Sequence, residues 1–432
     1  MKMLDYRQKD FAAELDVIYN RPSYPASIEE AVRTMVDTVR REGDQALVRY
    51  ALEFDKVKLA PSEFKVSDEE IAQAEKSLDR AAKSAIRSAL KNVQTFARLR
   101  IPKAWKKVVR PGVTLGERFE PMERIGVYIP GGTAPLVSTV IHTAGIARAA
   151  GVKEIVAVTP PNKEGQVHPA VLYAMKLAGV TEIYRLGGVY GVAAMAYGTE
   201  TVPKVEKIVG PGNAYVTAAK KLVYGAVAID MVAGPSEIMV IADETADPDK
   251  IAADMLSQAE HGSGLEQALT VTTDETMPEK IEKAIAGRKA TLPRMATVDR
   301  VLDNGSWVIV VKDMAQAAEI ASRYAPEHLE ICCKDARKVA NTIKAAGALF
   351  IGHWTPEPIG DFCAGPSHVL PTAGSARFFS GLTVEGFFRR MSTVEYTEKA
   401  IQKEIAIAEK FAEMEGLAAH GRSASSRRSK VK

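Results

Sequence analysis

Cysteine is scarce in this chain: 432 residues include only Cys332, Cys333 and Cys363. They form neither a CxxC pair nor a disulfide framework, so a reducing cytoplasm is the expected setting and the thiols are read as small core residues. No apolar run reaches bilayer length. Met1-Lys2-Met3-Leu4-Asp5 lacks the apolar segment of a signal peptide, so neither a membrane partner nor secretion is expected. Charge is not one-sided either, and a net charge of +3 makes no case for nucleic acid. HExxH and GxGxxG are both missing, which removes two of the simplest metal and dinucleotide signatures. What remains is 46% hydrophobic and 26% charged, the balance of an ordinary folded protein, in a chain long enough for two or more domains.

Up to about residue 120 the pattern is scaffold. Residues 1–21 read as a short N-terminal arm with helical spacing, ended by Pro22 and Pro25. Ser27 to Arg41 predicts an amphipathic helix closed at Gly43, and Asp44 is read as the cap of the next. Ser67-Asp68-Glu69-Glu70 is a capping box, expected to open one long helix through Ala74, Leu78, Ala82, Ile86 and Leu90.

From Arg124 strands and helices alternate. Strands at 124–129, 154–158, 182–186 and 207–209 each run into a turn, three of them Gly-rich at 131–132, 187–188 and 210–212. A second series follows Gly234-Pro235-Ser236-Glu237, with strands at 238–241, 268–272, 307–311, 329–333 and 348–351. The pattern predicts an α/β protein with two doubly wound, incomplete Rossmann-like parallel-sheet domains, one inserted in the other, and small helical extensions at both ends. The expected limits are 22–126 and 236–380 for the main domain, 127–235 for the insertion and 381–432 for a C-terminal domain. The basic tail, 421–432, is expected to be disordered. On such sheets ligands bind at the carboxyl ends of strands. At Gly131-Gly132 two readings stay open: backbone N–H groups offered to an anionic ligand, or a tight turn needing positive φ.

Ala325-Pro326-Glu327-His328-Leu329 sets a carboxylate beside an imidazole. On an extended chain the two side chains diverge, so both reach one site only if the backbone turns, which Pro326 favours. An imidazole can take a proton from an alcohol near neutrality, and a carboxylate can activate water. The bland alternative is a solvated loop pair. Only seven histidines occur, and several lie near oxygen donors: Gln258 with His261, three apart on one helix face; Asp361 and His368 in a small-residue loop; Glu415 near His420. Imidazole with oxygen is a reasonable zinc set, although these groups also suit helix-end capping.

Taken together, these segments resemble the histidinol dehydrogenase family from roughly residue 28 to 421. The blocks that carry the likeness are Tyr128-Ile129-Pro130-Gly131-Gly132, Gly210-Pro211-Gly212-Asn213, Ala233-Gly234-Pro235-Ser236-Glu237, Leu256-Ser257-Gln258-Ala259-Glu260-His261, Pro326-Glu327-His328-Leu329, His368-Val369-Leu370-Pro371-Thr372 and Glu415-Gly416-Leu417-Ala418-Ala419-His420. The resemblance implies a zinc- and NAD-dependent homodimer that oxidises L-histidinol through L-histidinal to L-histidine. It implies that Gln258, His261, Asp361 and His420 ligate zinc and through it hold the substrate. Ser236, His328, His368 and Glu415 would surround the substrate, with Glu415 and His420 supplied across the dimer by an exchanged C-terminal domain. Glu327 and His328 would be the catalytic pair, water activator and base. Tyr128, Tyr190 and Asn213 would contact NAD, Tyr190 standing where the family commonly has Gln. Two other readings remain in play: a paralogue acting on another primary alcohol, such as a sulfonated propanediol, and a non-catalytic binding protein on the same scaffold.

Overall fold

A computed structural model describes residues 1–21, 27–131, 135–261, 263–290 and 292–429. The expected break at Pro22 and Pro25, the second glycine of the 131–132 turn, Gly262 and the last three residues lie outside the described residues. Along the chain the strands are β1 (Lys2–Asp5), β2 (Trp105–Arg110), β3 (Val113–Pro121), β4 (Arg124–Tyr128), β5 (Glu154–Val158), β6 (Glu182–Tyr184) and β7 (Lys207–Val209). Then follow β8 (Ala228–Ile229), β9 (Glu237–Ala242), β10 (Gln267–Thr272), β11 (Ser306–Val310), β12 (His328–Cys332), β13 (Ala348–Ile351) and β14 (Phe388–Tyr396).

The chain divides into two compact units, Met1–Leu99 with Glu123–Gly386, and Arg100–Met122 with Phe387–Lys432. The larger unit carries two parallel sheets, ordered β1-β11-β10-β9-β12-β13 and β6-β5-β4-β7-β8. The protein is thus an α/β fold with two Rossmann-like sheets. In the first, β9 starts the winding, β10 and β11 continue to one side, and β12 and β13 go to the other. In β9, Ile238, Val240 and Ala242 face one apolar cluster while Met239 and Ile241 face another. Helices cover both faces, which is why these strands read as unbroken apolar runs.

Several expectations are corrected. The first residues of the arm are not helical: Lys2–Asp5 is an edge strand paired with β11, and the helix begins only at Phe11. Leu4 is buried there, and the alternation around it suits a strand, not a helix. The helices at Ile28–Glu42 and Asp44–Tyr50 pack on the five-stranded sheet, Val32, Val36, Val39 and Leu47 meeting Val156, Val158 and Ile208. They therefore do not belong with the six-stranded sheet as expected. Asp44 is the first residue of its helix, after Gly43, and its carboxylate accepts from Thr201 Oγ1 at 3.0 Å.

The capping box at Ser67 and Glu70 forms, but the helix it opens stops at Ser77, and Asp79 caps a second one, Arg80–Arg98. In the smaller unit, residues read as featureless scaffold form β2 and β3, and Phe388–Tyr396, read as a tail, is the strand β14 on the same antiparallel sheet. The unit ends in helices at Glu398–Met414 and Ala418–Ser425. The start of the tail expected to be disordered is thus helical, and Arg428 pairs with Glu409 at 2.7 Å.

Candidate active site

The residues of the Glu-His pair meet at the amino end of the six-stranded sheet. The helix Met314–Tyr324 ends on Ala325, which takes a left-handed conformation (φ 52°), and Pro326 and Glu327 then lead into β12 at His328. Pairing with β9 sets His328 beside Ile238, so the preceding Glu237 peptide lies within reach of both side chains. The Glu237 N–H donates to Glu327 Oε2 at 2.9 Å, and His328 Nδ1 lies 3.0 Å from the Glu237 carbonyl oxygen. The turn does what the side-chain geometry required, and the backbone of one residue, Glu237, orients both groups through its N–H and its carbonyl.

On its other edge His328 Nε2 lies 3.2 Å from Asp361 Oδ1, and Glu327 Oε2 is 3.7 Å from Nδ1. Both ring nitrogens therefore face acceptors, an arrangement that favours the imidazolium. Burial opposes that charge, but Glu327 and Asp361 outweigh it and hold the ring well above its ordinary range. Burial pushes Glu327 up to about 8, against the pull of His328. For Asp361 the opposing burial is outweighed by His328, and its carboxyl stays below the usual range.

Sequence reasoning missed Glu357, Glu237 with its partner Arg21, and His142. Glu357 is buried, accepts from Ser257 Oγ at 3.1 Å, and is pushed up to about 8 by burial. The ligand atoms of His328, Glu357 and Asp361 lie within 4.8 Å of one another, a grouping that could hold a metal ion. It shares only Asp361 with the set implied by the resemblance. Glu237 forms a buried ion pair with Arg21 at 2.5 Å and accepts from Ala373 N at 3.0 Å, tying three segments to the site. His142 stacks on His368 with ring centroids 4.5 Å apart. Only Glu237 lay in a quoted block; the others carry no local signal.

Gln258 is fully buried on the helix Pro248–Ala259, and its Oε1 has no hydrogen-bond partner among the described residues. Its Nε2 lies 3.5 Å from His261 Nδ1. His368 feels the charges of Asp361, His328 and His261, and its own Nε2 is buried without a partner among the described residues. The larger unit thus gathers Gln258, His261, Glu327, His328, Asp361 and His368, with Ser236 half-buried next to Glu237. Glu415 and His420 are exposed in the smaller unit.

At the carboxyl ends of the five-stranded sheet, Tyr128 closes β4 and its hydroxyl accepts from Gly188 N at 3.2 Å. Gly210 (φ +125°) crosses so close to the Tyr128 carbonyl that a Cβ would collide with it. Asn213 is exposed and caps the helix Ala214–Val223, accepting from Tyr215 and Val216 at 3.1 Å. The Tyr190 hydroxyl bonds to the Asp55 carboxylate. A cavity of about 390 Å³ opens beside Gly131, Thr159 and Asn162.

Two wound parallel sheets and a buried set of acids and imidazoles define an α/β enzyme. Residues 20–428 match the histidinol dehydrogenase family, and the chain belongs to that family. It is an oxidoreductase. It is 46% identical to a histidinol dehydrogenase of Gloeobacter violaceus over 91% of this chain and 88% of the relative. With that of Carboxydothermus hydrogenoformans the identity is 44%, over 94% and 95%. A crystal structure of histidinol dehydrogenase from Elizabethkingia anophelis superposes with a TM-score of 0.93 at 37% identity, covering 99% of this chain and 98% of that one. No helix among the described residues is long and apolar enough to cross a membrane.

Proposed function

We propose that the protein oxidises L-histidinol through L-histidinal to L-histidine, passing two hydrides to two NAD molecules, as a cytoplasmic homodimer with a zinc ion in each site. The observation that carries this reading is the convergence of Glu327 and His328 on the backbone of one residue, Glu237, together with the buried Gln258 Oε1, which has no donor among the described residues. A buried amide oxygen without a donor is costly unless something absent from the protein satisfies it, and a cation does so. Gln258, His261 and Asp361, with His420 of the partner subunit, would hold the zinc, an oxygen–nitrogen set such an ion accepts. When bound, zinc anchors the substrate's imidazole and amino nitrogens, and NAD takes the hydrides.

The chain's own groups move the protons. A cation held by Asp361 would offset the charge that favours the imidazolium, and the neutral His328 Nε2 takes the hydroxyl proton of the alcohol as hydride leaves its carbon, giving the aldehyde. Glu327 takes a proton from water as the oxygen adds to that aldehyde, while His328 returns its proton to the carbonyl oxygen, giving a gem-diol and a neutral imidazole again. His328 takes a diol proton as the second hydride leaves, and the product is a carboxylate. Burial of both groups keeps bulk water from the first step. Ser236 and His368 line the substrate's place, and Glu415 of the partner subunit offers a carboxylate to its ammonium. Tyr128, Asn213 and Tyr190, at the strand ends where such sheets bind ligands, are the NAD contacts.

Support for a second copy comes from the smaller unit. Ile407, Phe411 and Met414 repeat at helical spacing and are more than half exposed, an apolar stripe of the sort a partner covers. The deciding experiment counts NADH formed per L-histidinol consumed, with and without a chelator. Two per substrate, lost on chelation, is expected; one, or no dependence on metal, overturns the reading. Turnover of a sulfonated propanediol in its place would favour the paralogue.

A further inference from the structure

The six-stranded sheet has two ends, and the catalytic pair uses the amino one. Its carboxyl end carries a crevice of about 380 Å³, within the range of small-molecule sites. Cys332, the last residue of β12, and Gly352 to Thr355, just beyond β13, form one wall. Asp247, Lys250 and Asp254, after β9, form the other. This is the place where the winding reverses, between β9 and β12, at which doubly wound sheets bind ligands. His328 and Cys332 lie at opposite ends of β12, about 13 Å apart at the rise of a strand, so the crevice opens at the other end of the sheet from the catalytic pair and adjoins the active site only where Glu330 meets Glu357.

Its chemistry points to one class of occupant. Glu330 lines the crevice and is only 1% exposed; Oε1 accepts from Glu357 N at 2.6 Å, while Oε2 is buried and, among the described residues, has no donor, the Asp254 carboxyl being within side-chain hydrogen-bond reach. Asp254 stands beside it. At the mouth Trp354 is 85% exposed, and the Lys250 ammonium sits 4.0 Å from its ring centroid. The protein thus already places a cation on that ring. An anion finds little welcome: the start of the helix Pro248–Ala259 is taken by the Asp247 side chain, and Arg288 is engaged by Asp249.

We propose that this crevice binds a small organic cation, its ammonium group against Asp254 and Glu330 and its body on the Trp354 ring in place of Lys250. The proposal does not rest on the identity of the enzyme's substrate. The probe is benzylammonium, with benzyl alcohol as its neutral counterpart, followed through tryptophan emission of the full-length protein and of its Trp354→Phe variant. A saturable change that vanishes in Trp354→Phe is expected. Benzyl alcohol should bind at least about ten-fold more weakly, since the buried carboxylates reward only the charged group. Lys250→Met, which frees the ring, should tighten the probe, and Glu330→Gln should weaken it. Equal binding of amine and alcohol, or no Trp354-dependent saturation, overturns the proposal without needing any variant of the buried acids to fold.

Discussion

Replacing Glu327 by Gln separates the two chemical stages assigned to the site. The amide oxygen of Gln can keep the 2.9 Å bond from the Glu237 N–H, and Gln has the shape of the protonated acid. Burial already favours that form, pushing Glu327 up to about 8. Folding stability should therefore change by less than about 1 kcal/mol, the net worth of one hydrogen bond. Water activation is lost outright. A positioned base contributes about 10²–10⁴-fold, so oxidation of supplied histidinal should slow by that factor, equivalent to about 3–5 kcal/mol in the barrier. Oxidation of L-histidinol to the aldehyde, which relies on His328, should slow much less. A base acts when unprotonated, so in the unaltered enzyme the aldehyde step should quicken as pH rises towards about 8, and the variant should lack that limb. Stopped-flow NADH absorbance, with each substrate fed separately across pH, measures both. An equal loss in the two steps, or an unchanged limb, would refute the assignment of water activation to Glu327.

Three further outcomes test other links. Glu237→Gln leaves Arg21 buried without its counter-charge, which should cost about 3–5 kcal/mol in urea unfolding; a loss below about 1 kcal/mol would show that the pair does not hold Arg21 in place. His142 is fully buried, and burial followed by the neighbouring His368 pushes it down to about 3. The unfolded chain binds a proton there below its ordinary value near 6.5 and the folded one does not. Stability should therefore fall by about 1.4 kcal/mol per pH unit below that value, a slope absent from His142→Gln and read from denaturant midpoints between pH 7 and 5. Mixing inactive His328→Asn with inactive His420→Asn should restore part of the activity in hybrid dimers; none after demonstrated subunit exchange would exclude a site shared between protomers.

Legibility differed by the range of the interaction. Gly43 closing a helix and Ser67 with Glu70 opening one are local devices, decided within a few residues, and both could be read directly. Local signals also misled. Leu78 continued a helical apolar pattern, yet the chain takes an extended turn there because Asp79 caps a new helix. The apolar spacing of Ile28–Glu42 predicted a buried face but could not name the sheet it would meet. β14 joins β3 across more than 260 residues, and no neighbour in sequence announces that pairing.

By itself the sequence determined the element types of the two wound sheets, the double winding and the family, since periodicity, caps and seven ordered blocks are written in consecutive residues. It also named Glu327 and His328, whose chemistry is intrinsic to their side chains. Only the tertiary structure decided that Glu237 would orient both through its backbone N–H and carbonyl, that Arg21 and Ala373 would in turn hold Glu237, and that Glu357 and His142 would join them. Such partners are set by strand register and by burial. Those depend on which surfaces meet when the sheets form, and no short window of the chain contains that information.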